Sequence, residues 1–249
     1  KTKVFYTPHG FSFLMQDGST LKRKVFWLLE YLSAKRTSKI IACSKGEYKE
    51  ALKLSKNSTY VNNGINLKEL FPLLANHSPK FHIPITVCTS GRILYQKNPF
   101  LFNQIAQLLP EIHFIWIGEG ELKSKLTSPN IEVTGWITRE KALEIVCSSD
   151  FFILPSLWEG LPISLLEAMY LKKICLVSNV IGNRDVILSG ENGFVCNKAE
   201  DYAIIIHRII KGEINGFSIA EQASKDVESH YNADTMANKY TEIYRQAIK

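Results

Sequence analysis

The stretch from Leu154 to Met169 carries the residues with the most chemical content. It reads Leu154-Pro155-Ser156-Leu157-Trp158-Glu159-Gly160-Leu161-Pro162-Ile163, then Glu167-Ala168-Met169. An apolar strand is expected to end at Pro155, a loop to carry Glu159 and Gly160, and a helix to start near Pro162, a residue suited to a first helical turn. The first N–H groups of a helix lack internal partners and, with the helix dipole, form an anion site. Gly160 lets a ligand come close to the backbone. Glu159 precedes the helix and Glu167 lies inside it, so two acceptor carboxylates flank the anion site. That set suits a diphosphate with hydroxyl-rich groups at both ends, which is a nucleotide sugar.

Two further turns could join it. Thr89-Ser90-Gly91-Arg92 and Lys97-Asn98-Pro99 also lie between a strand and a helix. Arg92 as a fork and Lys97 as a point charge could both reach a diphosphate. Thr7-Pro8-His9-Gly10-Phe11 follows the first strand, and His9 could hydrogen-bond a substrate hydroxyl from across a cleft. The chain has no D-x-D motif to hold a metal on a diphosphate. Arg92, Lys97 and the helix end could take that ion's place, so metal-independent chemistry with no cofactor is expected.

The elements that must position these turns follow from periodicity. Strands are expected at 3–7, 39–43, 59–61, 85–89, 112–117, 131–134, 150–154, 174–178 and 194–196. Helices are expected at 20–36, 98–108, 120–126, 139–147, 163–171 and 199–211, with an amphipathic tail from 233 to 249. The first helix carries Leu21, Val25, Leu28, Leu29 and Leu32 at the spacing of one buried face. Ser44 to Glu47 fits a capping box that opens another helix. Residues 72–84, rich in Pro, Asn, His and Ser, read as a linker. Near-continuous apolar strands separated by helices imply a parallel sheet covered on both faces, a doubly wound α/β domain. Such sheets bind ligands beyond the carboxyl ends of their strands, where all three turns lie.

With 249 residues, of which 45% are hydrophobic and 22% charged, the chain can bury a sizeable core and is not a disordered sequence. Its five cysteines show no zinc or iron–sulfur spacing and read as buried free thiols of a reducing compartment. No apolar run approaches the length of a membrane span, and no signal peptide is expected. Residues 1–75 hold 13 lysines and arginines against 5 acidic residues, whereas the remainder is slightly acidic. That basic part shows no nucleic-acid-binding signature, so nucleic acid is not an expected partner.

Together the motifs resemble the family 4 retaining glycosyltransferases of GT-B fold. The two glutamates with seven residues between them, Glu159 and Glu167, carry the resemblance. His9-Gly10, Ser44, Asn63-Gly64-Ile65, Gly91-Arg92 with Lys97, Gly118-Glu119-Gly120, Gly135, Ile181-Gly182 and Gly193-Phe194-Val195 follow in family order. The resemblance implies a GT-B architecture: a complete C-terminal Rossmann-like doubly wound sheet over 76–232 and the rear of an N-terminal, acceptor-side Rossmann-like domain over 1–75. Residues 233–249 would form a helix returning to the N-terminal domain. It implies catalytic roles for Glu159 and His9, and ribose binding by Glu167. It further implies donor contacts from Arg92, Lys97, Gly160, Leu161, Pro162 and Ile163, and base contacts from Trp136 and Ile137 beside Gly135.

The donor would be a UDP- or GDP-sugar and the acceptor a glycan or lipid-linked sugar of cell-surface polysaccharide synthesis. The family's opening strand and Gly-rich loop are not in this sequence, so the chain is expected to be the back part of a longer protein. Gly182-Asn183-Arg184-Asp185 departs from the family's Gly-x-Pro-Glu, and no catalytic role is given to Asp185. A nucleotide-sugar epimerase of the same architecture, or a binding fragment without turnover, are the alternative readings. The basic N-terminal part, with Phe26, Trp27 and Tyr31, suggests a cytoplasmic enzyme with peripheral contact to the inner membrane face.

Overall fold

The computed structural model describes residues 2–16, 19–37, 39–74 and 80–248. Two parallel sheets organise them. β1 (Phe5–Tyr6), β2 (Lys39–Ala42) and β3 (Ser58–Tyr60) form a three-stranded sheet in that order. α1 (Thr20–Ala34) links β1 to β2, α2 (Lys45–Leu54) links β2 to β3, and α3 (Leu67–Leu74) follows.

The second sheet has six strands: β4 (Thr86–Ser90), β5 (His113–Ile117), β6 (Ile131–Val133), β7 (Phe151–Leu154), β8 (Ile174–Ser178) and β9 (Phe194–Cys196). α4 (Pro99–Leu108) follows β4, and α5 (Arg139–Ser148) follows β6. α6 (Ile163–Tyr170), α7 (Asn183–Val186) and α8 (Ala199–Ile210) follow β7, β8 and β9. α9 (Gly216–His230) and α10 (Ala233–Ile248) end the fold.

The strand order β6-β5-β4-β7-β8-β9 is that of a doubly wound dinucleotide-binding sheet. The chain winds outward from β4 to one side, then returns to place β7 on β4's other flank. The order therefore reverses between β4 and β7, which leaves a crevice beyond their carboxyl ends. The apolar strands are continuous because both faces are covered. Phe151 and Ile153 pack into one core with α4 and α8, while Phe152 and Leu154 pack into the other with α5 and α6.

Four expectations are corrected. The apolar stripe of α1 is not buried: Leu21, Val25, Leu28, Leu29 and Leu32 are all exposed, Leu21 to 72%. Periodicity shows that a helix is amphipathic but not what covers its apolar face. Residues 120–126 form only the short turn Lys123–Lys125, because the Leu122 N–H is drawn to the Ile93 carbonyl at 3.2 Å. The first strand is confined to Phe5–Tyr6, since β1 pairs with β2 over only two residues. The start of the expected linker is helical to Leu74, because Leu70 is buried and Leu67, Leu73 and Leu74 pack on the main core. The expected domain boundary at 75–76 lies outside the described residues.

The chain returns from the second sheet to the first. After α9 the chain crosses back at Asn232, where Ile65 N–H donates to the Tyr231 carbonyl and Ala233 N–H to the Ile65 carbonyl, both at 2.9 Å. α10 then lies on the first sheet, with the rings of Phe5 and Tyr244 4.8 Å apart. The crossing needs a glycine: a Cβ on Gly64 would lie 2.4 Å from the Asn232 carbonyl oxygen. Gly64→Ala should therefore cost about 1–3 kcal/mol through overpacking. That corresponds to a loss of several degrees in Tm, at ~2–4 °C per kcal/mol for a domain of this size. An unchanged Tm in thermal denaturation would contradict this crossing.

Candidate functional site

The loops after β4 and β7 meet over the crevice. Leu157 N–H donates to the Gln96 carbonyl at 2.8 Å, and Gln96 Nε2 donates to the Trp158 carbonyl at 3.0 Å. These contacts bring Lys97 Nζ to 2.6 Å from Glu159 Oε1, with side chains only 19% and 7% exposed. Arg92, on the same loop, is exposed and makes no ion pair among the described residues. Of the two cations expected at a diphosphate, Lys97 is already neutralised by Glu159, and Arg92 is open to an anion.

Behind them α6 starts at Ile163. Its N-cap, Pro162, has no side chain able to accept from the first N–H groups. Gly160, Leu161 and Pro162 are buried, whereas Ile163 is 40% exposed. The open end of α6 therefore faces the crevice with its donors available to an anion.

The first sheet supplies the opposite wall. His9 has a left-handed φ of 48° and is exposed, and the loop it shares with Gly10 presses on Gly160. A Cβ on Gly160 would lie 2.9 Å from both the Gly10 nitrogen and the His9 carbonyl carbon, and 3.0 Å from Cys43 Sγ. Only glycine permits this approach. A buried carboxylate holds the His9 loop in place: Glu47 accepts N–H bonds from Gly10 and, at 2.7 Å, from Cys43. Ser44 does accept the Glu47 N–H at 3.1 Å. The expected capping box is thus only half formed, because the Glu47 carboxylate reaches away from its own helix to the strand-end loops.

Glu167 stands apart from Glu159 and has its own cation. Arg139 Nη1 lies 2.7 Å from Glu167 Oε1. Burial pushes the Glu167 carboxyl above its ordinary range, and Arg139 pulls it back. Arg139 opens α5, just after the Gly135-Trp136-Ile137 loop at the carboxyl end of β6. Trp136 is 84% exposed, an indole free to stack, and Ile137 packs against the core. Sequence reasoning missed Arg139 and Glu47. Arg139 gives no signal of its own, since a charged residue in a first helical turn reads as a solvated one.

Arg92, Lys97, Glu159 and Gly160 to Ile163 thus gather at the β4–β7 crevice, with His9 facing them. Glu167, Trp136 and Ile137 lie on the β6 side. All five cysteines are free, and burial raises the Cys88 and Cys196 thiols to about 12. Among the described residues there is no cluster of side chains suited to a metal ion.

Residues 74–226, more than half of the chain, match the family of glycosyl transferases group 1. The chain belongs to this family. A UDP-Gal:alpha-D-GlcNAc-diphosphoundecaprenol alpha-1,3-galactosyltransferase of Escherichia coli is 29% identical to this glycosyltransferase, covering 89% of its chain and 67% of the relative. An N,N'-diacetylbacillosaminyl-diphospho-undecaprenol alpha-1,3-N-acetylgalactosaminyltransferase of Campylobacter jejuni is 28% identical, covering 98% and 68%.

Among solved structures, HepE of Anabaena in complex with UDP and glucose superposes with a TM-score of 0.79 at 16% identity, over 98% of this chain and 71% of that one. Sucrose-phosphate synthase of Thermosynechococcus elongatus gives 0.82 at 18%, over 98% and 67%. The fold of this glycosyltransferase is the expected α/β GT-B type. Asp185 sits between its two sheets. Asp185 Oδ2 accepts the Gly46 N–H at the start of α2 at 2.8 Å and the Gly182 N–H at 3.3 Å.

Proposed function

We propose that this glycosyltransferase moves a sugar, with retention of anomeric configuration, from a UDP- or GDP-sugar to a glycan or lipid-linked acceptor in cell-surface polysaccharide synthesis. The observation that carries this reading is the β4–β7 crevice. There a buried carboxylate, two cations and an uncapped helix start converge beneath a histidine loop from the other sheet. The names of the relatives, which specify diphosphoundecaprenol acceptors, support the choice of acceptor.

In this reading residues 1–75 form the acceptor side, 76–232 the donor side, and 233–249 the helix that ties them. Arg92, Lys97 and the N–H groups of α6 bind the diphosphate and stabilise it as it leaves. The bond between the sugar's anomeric carbon and the phosphate oxygen breaks, and the acceptor oxygen bonds that carbon on the same face. The acceptor's proton passes to the departing phosphate. Glu159 and His9 hold the hydroxyls of the transferred sugar, Glu167 holds the ribose, and Trp136 and Ile137 contact the base. The cations take the role a metal would fill, so activity should survive EDTA. A thermal-shift panel of UDP-, GDP- and ADP-sugars tests the reading. Stabilisation by at least one is expected, and by none would contradict it.

The second part of the reading concerns place. No helix among the described residues is long and apolar enough to cross a membrane. The exposed stripe of α1 is flanked by exposed Lys22, Arg23, Lys24, Lys35 and Arg36, and Trp27 stacks on Tyr31 at 5.3 Å. Each basic residue near anionic lipid contributes ~1 kcal/mol, and an apolar stripe beside it can insert shallowly. We therefore place the enzyme in the cytoplasm, docked on the inner membrane face through α1. Co-sedimentation with anionic vesicles should occur at low salt and fade at high salt. No binding at low salt would remove the membrane contact and leave glycosyl transfer standing.

A further inference from the structure

Arg139 does more than meet one carboxylate. Its Nη1 lies 2.7 Å from Glu167 Oε1, while its Nε donates to Glu69 Oε1 at 2.9 Å. Glu69 lies on α3, Arg139 on α5 and Glu167 on α6, so one guanidinium pins three helices. The two acids differ in setting: the Glu167 side chain is 10% exposed and that of Glu69 is 44% exposed. A planar fork can present separate N–H groups to two carboxylates, which an ammonium does less rigidly.

Resting on the reading that Glu167 receives the donor's ribose hydroxyls, we propose that Arg139 is a positioning residue of the donor site. It holds the Glu167 carboxylate ionised and aimed, and Glu69 serves as its outer anchor. A buried carboxyl left alone takes up a proton more readily. Once protonated it has fewer lone pairs with which to accept two hydroxyls. The charged groups that face Glu167 are Arg139 from α5 and Glu69 from α3, and they act in opposite directions. Arg139 lowers the Glu167 carboxyl from its burial-raised position, and the Glu69 charge raises it.

The signs separate positioning from mere structural support. Loss of Arg139 moves the Glu167 titration up, so donor affinity on the acid side is lost at a higher pH. Loss of the Glu69 charge removes a repulsion and does not move the titration up. A purely structural role would weaken binding in both variants alike at every pH.

The test is the affinity of UDP-glucose, GDP-mannose and ADP-glucose by calorimetry between pH 5 and 8.5. The diphosphate of an intact nucleotide sugar keeps its charge across this range. The probe that the wild-type chain binds most tightly is then carried to Arg139→Gln, Arg139→Lys and Glu69→Gln. Arg139→Gln should shift the acid limb upward by about one pH unit or more. Affinity should then fall at least tenfold at the acid end and little at pH 8.5. Arg139→Lys should restore most of the limb, and Glu69→Gln should leave it in place or move it down. A pH-independent loss in Arg139→Gln, no loss, or no rescue by Lys would overturn the inference while the donor site stands. A wild-type chain that binds none of the three probes would overturn the donor-site reading and this inference with it.

Discussion

Lys97→Ala is expected to weaken donor binding by tenfold to a hundredfold and also to lower Tm, whereas Arg92→Ala should do only the first. A hydrogen bond to a charged group contributes ~1.5–3 kcal/mol, and every ~1.4 kcal/mol is tenfold in affinity. The difference between the two residues lies in what each leaves behind. Lys97 Nζ is 2.6 Å from Glu159 Oε1, and the Glu159 side chain is 7% exposed. Removing one partner of a buried pair costs about 3–5 kcal/mol because it orphans a charge, and the open crevice places this pair at the lower end. Arg92 is exposed and has no such partner among the described residues. Adding Glu159→Gln to Lys97→Ala should therefore recover part of the lost Tm without recovering affinity. Calorimetry with the nucleotide sugar and thermal denaturation check both. Wild-type affinity in Lys97→Ala would contradict a role at the diphosphate.

The two glutamates should separate in kinetics as they do in space. Glu159 is paired with Lys97 at the β4–β7 crevice, and Glu167 is paired with Arg139 on the β6 side. Glu159→Gln should leave binding of the free nucleoside diphosphate nearly intact. It should reduce turnover of the intact donor by about a hundredfold or more, the scale of losing one electrostatic contact at the reacting centre. Glu167→Gln should instead weaken the free nucleoside diphosphate, roughly tenfold, by halving the acceptor capacity offered to a diol. Equal losses of free-nucleotide affinity in both variants would show that the glutamates do not divide the donor between them.

The parallel sheet was readable because strands buried on both faces must be apolar throughout. β7, with all four residues buried, is such a strand. The gathering of the candidate residues at one end of the sheet was readable for a related reason. The chemistry-bearing residues follow strand ends, and parallel α/β topology brings those ends to one side. Partners outside the local sequence were not readable. Glu47 looks like half of a capping box until Gly10 and Cys43 arrive to claim its carboxylate. Arg139 acquires meaning only when α3 and α6 bring Glu69 and Glu167 to it. The face of α1 reads as core by periodicity, and what lies against it is a tertiary fact that periodicity does not contain.

Transfer itself is the most direct measure of the central claim. The chain would be incubated with the nucleotide sugar that stabilises it, a diphosphoprenyl-linked sugar acceptor and EDTA, and the products analysed by mass and by the anomeric coupling of the new linkage. The account predicts one added glycosyl residue on the acceptor, in the anomeric configuration of the donor, with release of the nucleoside diphosphate and dependence on Glu159. An epimerised sugar formed without acceptor, a product of inverted configuration, or abolition by EDTA would contradict it.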